Sequence, residues 1–414
     1  MHHRLPGYTL SLFLLATGLG MGGAAWGQET PSWSVSGFGT FGFVHSSEHR
    51  ADYTSSVMKY SGAGATRAWS ADVDSRLGAQ LDLKLDHRWS AVLQVVSEQG
   101  LYDTYRPRVE WANIKYQATP ELALRVGRIA LPMFLTADYR KIGYAYPWVR
   151  PPVETYGTVP ITSSDGVDAT WRWDAGPVRN TSQVFYGQAK LPLGDTVHGR
   201  ASGMVGFSNT SDWGALSVRA NVVKAELTLD LVQPLFNAFD AFGPAGQDIS
   251  RRFAVDHKHV DVVSIGANYD PGQWFVMAEA GRTHTNSLLG ATRSLYASAG
   301  WRIGPFTPYL TWSRVRAADA THDPGLPLDA LPAPSRGQAG LLNAGLNLVL
   351  ATIPQQTSAS AGLRWDVHTN TALKLQYDRV TPHDGSRGTL INTQPGFRSD
   401  HPADVVSLAF DFVY

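Results

Sequence analysis

The sequence predicts an all-β fold, a transmembrane antiparallel β-barrel of about sixteen strands. Three observations predict it. Apolar and polar residues alternate with period two along many segments. Short connections alternate with long ones along the chain. After the N-terminal segment, no stretch approaches the roughly 18 apolar residues that a spanning helix needs. A chain that crosses a membrane without such helices must close a barrel, because lipid offers no partner to a free backbone N–H or C=O.

The first element is an export segment. Arg4 gives a small positive start, Leu10 to Leu19 is a short apolar run, and small residues lead to Ala25-Trp26-Gly27. That layout predicts a secretory signal over residues 1–27, cleaved after Gly27, with a mature barrel over 28–414. Removing it takes away one charged residue, Arg4, from a chain with 35 basic and 35 acidic residues. A near-neutral mature chain argues against a nucleic-acid partner. With no cysteine in the sequence, an exported chain cannot be a disulfide scaffold.

The strands follow in order. Alternation begins at Val35, which leaves no room for a large plug domain. Leu77, Ala79, Leu81 and Leu83 alternate with Gly78, Gln80, Asp82 and Lys84 before the turn Asp86-His87-Arg88; Trp89, Ala91, Leu93 and Val95 resume the apolar face. Ile114 and Tyr116 turn through Thr119-Pro120-Glu121 into Leu122, Leu124 and Val126. Val167, Ala169, Trp171 and Trp173 reach Ala175-Gly176-Pro177, and further strands are expected near 178–188 and 200–208. Val263 to Tyr269 turns at Asp270-Pro271-Gly272 into Trp274, Val276, Ala278 and Ala280. Leu295 to Trp301 turns at Gly304-Pro305 into Phe306, Leu310 and Trp312. Ala359 to Trp365 turns at His368-Thr369-Asn370 into Leu373, Leu375 and Tyr377, and Val406 to Tyr414 closes the series. Short turns on one side and long loops on the other are the pattern of outer-membrane barrels, with both termini at the short-turn, periplasmic end.

The long connections span 45–72, 99–106, 131–164, 189–199, 229–256, 283–292, 316–355 and 380–402, and are polar and rich in Gly, Pro, Ser and Asp. Trp89, Trp274, Trp301, Phe306 and Trp365 sit beside the short turns in the apolar register, as a periplasmic aromatic girdle requires. The opposite register carries the polar groups: Arg76, Asp82, Lys84, Gln94, Glu98, Glu110, Lys115, Arg125, Arg172, Arg219, Glu279, Arg364, Lys374, Gln376 and Asp378. A charge facing lipid costs on the order of 2–4 kcal/mol at the midplane, so these belong to a wet lumen.

The third long loop, about 131–164, is aromatic-rich for an exposed loop. It carries Asp138, Arg140, Lys141, Tyr144, Tyr146, Trp148, Arg150, Glu154 and Tyr156. We expect it to fold inward, aromatics on the wall and charges in the channel, with Arg76, Arg125 and Arg128 across from Asp138, Glu154 and Asp165. Opposed charges at a narrowing order water and select polar solutes. Basic and acidic residues there nearly balance, so the ion preference is left open. Enzyme signatures are absent: no Gly-x-Ser-x-Gly elbow, P-loop or His-Glu-x-x-His helix. His257 and His259, two apart, are read as a solvated loop end, not a metal site, and no cofactor is expected.

Three stretches resemble the sixteen-stranded Gram-negative porins. Val35-Ser36-Gly37-Phe38-Gly39-Thr40-Phe41-Gly42-Phe43 is similar to their glycine-rich opening strand. Val126-Gly127-Arg128-Ile129 followed by Leu131-Pro132-Met133-Phe134 resembles the approach to their constricting third loop. Phe412-Val413-Tyr414 resembles the aromatic-ended strand read by barrel-assembly machinery, with Phe412 and Tyr414 as the signal. The acidic Pro-Glu-Phe-Gly-Gly type of third-loop motif is missing. The resemblance implies a trimer, passive diffusion of small polar solutes, and outer-membrane lipid and lipopolysaccharide as surroundings. A channel specific for organic acids, sugars or peptides shares the fold and differs in affinity. A non-conducting structural barrel and an outer-membrane lipase are the remaining alternatives, separable by bilayer conductance and lipid hydrolysis.

Overall fold

The computed structural model describes residues 30–159, 161–191, 193, 198–230 and 232–414, so the expected signal segment lies outside the described residues. Sixteen long strands form the wall. They are β1 (Ser32–Ser46), β2 (Arg76–Lys84), β3 (Trp89–Glu98), β4 (Arg108–Gln117), β5 (Leu122–Ala130), β6 (Ser163–Ala175), β7 (Val178–Lys190) and β8 (Gly199–Trp213). The second half is β9 (Leu216–Leu229), β10 (Val255–Tyr269), β11 (Trp274–Thr285), β12 (Thr292–Trp301), β13 (Phe306–Ala317), β14 (Gln356–His368), β15 (Thr371–Pro382) and β16 (Ala403–Val413). Each pairs antiparallel with its neighbours in sequence. β1 pairs with β2 from Ser32↔Lys84 to Thr40↔Arg76 and with β16 from Phe38↔Val413 to Ser46↔Val405. The wall therefore closes without an edge, as lipid demands. No helix among the described residues is long and apolar enough to cross a membrane.

The short turns are built from residues suited to them. Asp86 caps its turn, its Oδ1 accepting from the N–H groups of Arg88 and Trp89 at 2.7 Å each. Gly214 and Asn370 take φ of 58° and 64°, the left-handed region that a two-residue hairpin turn uses. The alternation sorts the faces. Leu77, Leu93, Val126, Val167, Ile265, Leu310 and Leu408 are exposed on the outside, while Arg76, Gln94, Asn221, Ser298 and Asp378 are buried inside. So large an exposed apolar surface is stable only against lipid.

The aromatics beside the short turns pack in pairs on the outer face. Trp89 packs tilted against Tyr116 (4.7 Å) and Tyr269 against Trp274 (5.3 Å), Phe306 stacks on Trp365 (5.7 Å), and Trp274 faces Trp301 across β11 and β12. Trp171, Trp173 and Trp213 extend the series around β6 to β8.

At the seam, Phe412 and Tyr414 lie outside on the bare backbone of Gly39 and Gly37; a Cβ at either glycine would overlap the ring above it. Gly39→Val is expected to lift Phe412 and destabilise the closed wall by about 1–3 kcal/mol, the usual cost of overpacking. A heat-modifiability gel reads this as a lower temperature at which the folded band is lost. Unchanged migration would show that the seam does not need a glycine.

The long connections hold helices that their polar composition concealed. They are α1 (Val153–Tyr156), α2 (Gln233–Asp240), α3 (Pro244–Phe253) and α4 (Ala333–Leu350). The last three each begin at a proline in the first turn, where its missing N–H costs nothing. Ala339, Asn343, Leu346 and Leu350 recur at helical spacing and bury one face of α4. The proline signal had suggested loop, and these three helices went unread.

Candidate pore constriction

The third loop lies inside the barrel because its sequence is apolar enough to bury itself there. Leu131, Met133, Phe134 and Leu135 follow directly from Ile129 and Ala130 at the end of β5, all buried. They share one apolar cluster with Tyr146, Trp148 and Tyr156 of the loop and with Val262, Phe275, Met277, Tyr296 and Tyr309 of the inner wall. Phe134 turns the chain at a φ of 68° and its ring lies 5.4 Å from that of Tyr156. Burying aromatics of this size is the main driving force for inward folding.

Hydrogen bonds then fix the loop in place. Trp148 Nε1 donates to Ser298 Oγ at 2.9 Å and Thr311 Oγ1 at 3.0 Å. The Val149 N–H donates to Gln376 Oε1 at 3.0 Å. Lys374 Nζ donates to the carbonyls of Gly143, Tyr146 and Trp148 at 2.7–2.8 Å and pairs with Asp411 at 2.8 Å. Arg364 Nη1 donates to the Tyr144 carbonyl at 2.6 Å while its guanidinium covers the Tyr144 ring. Glu279 on β11 accepts from the Leu135 N–H at 2.8 Å and the Tyr156 hydroxyl at 2.6 Å. The loop is thus bound to β11–β16 and β1. Gly143 approaches closely enough that a Cβ would overlap the Asp411 carboxylate and the Thr40 hydroxyl. Gly143→Val is expected to undock this end of the loop, raising unit conductance in a bilayer; unchanged conductance would place the loop's hold elsewhere.

Two charged residues expected in the channel are instead locked between loop and wall. Arg150, 2 % exposed, forks onto Asp74 (Nε–Oδ1 2.9 Å, Nη2–Oδ2 2.6 Å) and reaches Asp378, Tyr53 and Ser407. Burial alone disfavours its charge, but the carboxylates of Asp74 and Asp378 outweigh this and hold the guanidinium protonated. Glu154, 1 % exposed, accepts from Ser313, Ser358 and Gln356 on β13 and β14. A lone buried charge needs a full set of partners, and only the wall offers them.

The other loop charges form a corner with the wall. Lys141 pairs with Glu98, which also lies 3.9 Å from Arg76; Arg76 reaches the Arg140 carbonyl. Arg140 donates to the Tyr156 carbonyl at 3.1 Å. Lys59 of the first loop joins this corner, and burial pushes its ammonium down to about 8. Asp138 is exposed to the lumen and pairs with Arg219 at 2.7 Å. Arg125 faces inward on β5 and pairs with Asp168 at 2.9 Å, beside Lys115 on β4 and Arg172 on β6.

Arg128 and Asp165 require correction. They pair with each other at 2.7 Å, but in the register of Val126 and Val167, which face outward. Two residues along a strand restore the same face, so neither reaches the lumen. Glu110 sits in a bulge between Gln94↔Trp111 and Val95↔Val109, outside the regular inward series. The sequence reading also missed Asp74 and Asp411 as anchors. Asp74 lies two residues before Arg76 and Asp411 between Phe410 and Phe412, so parity could have found both. His257 pairs with Glu226, and among the described residues no group of three or more His, Asp or Glu side chains is placed to hold a metal.

A family model described as Gram-negative porin matches residues 11–397. No curated protein matches the chain by sequence. Similar solved structures include an anion-selective porin from Comamonas acidovorans, at 12% identity and a TM-score of 0.54 over 93% of this chain and 100% of that one. Salmonella typhi OmpF in complex with daunomycin is 11% identical with a TM-score of 0.55, over 92% and 97%. The outer membrane channel DcaP of Acinetobacter baumannii is 11% identical with a TM-score of 0.55, over 94% and 99%. At these identities the likeness is one of fold.

Proposed function

The chain belongs to the Gram-negative porin family, and from that membership we propose that its third loop sets the size and charge preference of the pore. The protein is an outer-membrane channel for passive diffusion. The observation that carries the proposal is the docking of the loop chiefly on β11–β16 and β1, with single ion pairs to Glu98 at the end of β3 and Arg219 on β9, which leaves the inner faces of β4–β6 as the other side of the passage.

The loop's own charges are largely neutralised: Arg150 by Asp74 and Asp378, Lys141 by Glu98, Asp138 by Arg219. On the opposite wall Lys115 and Arg172 have no carboxylate within ion-pair distance among the described residues, and Arg125 shares Asp168. An excess of fixed positive charge at a narrow point raises the local concentration of anions. The proposed preference is therefore for small anions over cations. Reversal potentials in a potassium chloride gradient across a planar bilayer test this. An anion-selective potential is expected, and a cation-selective one would overturn the assignment.

The proposal extends to the molecule's surroundings. Residues 1–27 direct export and are removed. Phe412 and Tyr414 present the terminal strand to barrel-assembly machinery. The exposed outer face of β1, with Val35, Phe41 and Phe43, joins a homotrimer, and lipid and lipopolysaccharide cover the rest. No catalysis is expected, and a lipid hydrolysis assay in detergent checks that directly.

A further inference from the structure

Charged residues on the outside of the wall, near its long-loop end, come almost entirely in neutral pairs. Arg128 pairs with Asp165 at 2.7 Å, Lys224 with Asp261 at 3.5 Å, His257 with Glu226 at 2.6 Å and Arg379 with Asp404 at 3.4 Å. Two sectors break the rule: Lys190 and Arg200, directly opposite each other across β7 and β8 with no ion pair among the described residues, and a larger cluster on β11 to β13. Arg282, Arg293, Arg314 and Arg316 occupy the outward register of β11, β12 and β13, in line with Ala280, Leu295 and Trp312. Arg282 is directly opposite Arg293, and Arg293 directly opposite Arg316; Arg314 lies one outward position below, opposite Leu295. None has an acidic partner among the described residues, and Arg314 Nε is buried with no hydrogen-bond acceptor.

Like charges directly opposite one another on a sheet repel. Three in a row, with a fourth beside them, are stabilised by an anion shared among them. The guanidinium fork matches a phosphate in two parallel hydrogen bonds. Beneath the arginines a groove lined by Leu295 and Trp312 opens onto exposed Leu310. That order, cationic above and apolar below, is that of a lipid seen from its headgroup to its acyl chain. At this height the cost of an outward Arg falls to about 0–1 kcal/mol, so the cluster is tolerated where a headgroup would sit.

We propose that Arg282, Arg293, Arg314 and Arg316 form a binding site for the phosphate of an anionic lipid headgroup in the leaflet at the long-loop end. The inference rests on the reading of this wall as lipid-facing, and is independent of the constriction inside. The neighbouring charges that bear on it are His284, on the same outward register of β11, and Asp261, which faces His284 and is already paired with Lys224.

The test is a titration of the purified full-length barrel in detergent with diphosphoryl lipid A, with its dephosphorylated form, and with inorganic phosphate as competitor. Wild type is expected to bind the phosphorylated lipid at least tenfold tighter than the dephosphorylated one, with little competition from millimolar phosphate. Arg293→Gln combined with Arg314→Gln and Arg316→Gln is expected to remove most of that difference, and Arg379→Gln, at a paired site, to leave it. Conductance and heat-modifiability of the triple variant should match wild type, since the cluster lies outside the lumen; this separates lost binding from lost folding. Equal binding of both lipids, or an unaltered triple variant, overturns the proposal. Full competition by inorganic phosphate would reassign the cluster to free anions. Loss of an oligomer with lipid binding intact would reassign it to a subunit contact.

Discussion

Arg150→Met is expected to widen the conducting pathway and to lower the thermal stability of the barrel. Among the described residues the guanidinium is the cation in direct ion-pair contact with Asp74 and Asp378 at the junction of loop, wall and first loop. Removing it leaves two buried carboxylates without a direct ion-pair partner. Breaking one side of such a buried pair costs about 3–5 kcal/mol. That cost is relieved by letting the loop leave the wall so that water reaches both acids. Unit conductance and its open-state noise should rise, and the folded band should be lost at a lower temperature. The triple change Arg150→Met, Asp74→Asn and Asp378→Asn removes all three charges and is expected to recover most of the stability. If Arg150→Met alone conducts like wild type, the loop is held by its apolar contacts, and the charged junction is incidental.

The second large effect concerns charge preference. Lys115→Glu, Arg125→Glu and Arg172→Glu together change the open wall from net positive to net negative while leaving the loop's anchors untouched. The reversal potential in a salt gradient should change sign. Arg128→Glu is the internal control. Despite lying three residues from Arg125, it points outward, and its loss should leave the reversal potential where it was. An equal effect of Arg125→Glu and Arg128→Glu would mean that the register at the top of β5 is wrong.

That pair also shows what the sequence made legible. Period-two lettering gave the barrel of about sixteen strands and located most of them and the short turns, though Leu216–Leu229 was not picked out, because each depends on residues within a few positions of one another. The same lettering gave the face of Arg128, two positions from Val126, and of Asp165, two from Val167. They were placed in the lumen on charge alone, and parity overruled chemistry. The loop's aromatic content was legible, and Tyr146, Trp148 and Tyr156 are the residues that pack with Tyr296 and Tyr309. Its anchors were harder to see, since Arg150 meets Asp378 across 228 positions and Lys374 meets the Gly143 carbonyl across 231. No local pattern encodes such contacts; they follow from barrel closure, which brings β16 beside β1 with β15 next in line. The helices α2 to α4 escaped for a different reason: proline at a helix start and proline in a loop look alike until the following residues are checked for a 3.6-residue period.

The central claim is that the closed wall surrounds a continuous aqueous path beside the docked loop. Single-channel recording of the purified mature protein in a planar lipid bilayer tests it most directly. Discrete steps of uniform size are expected, linear in voltage and growing in proportion to salt concentration. Protein that inserts and stays folded, as judged by heat-modifiability, yet leaves the bilayer electrically silent would contradict it.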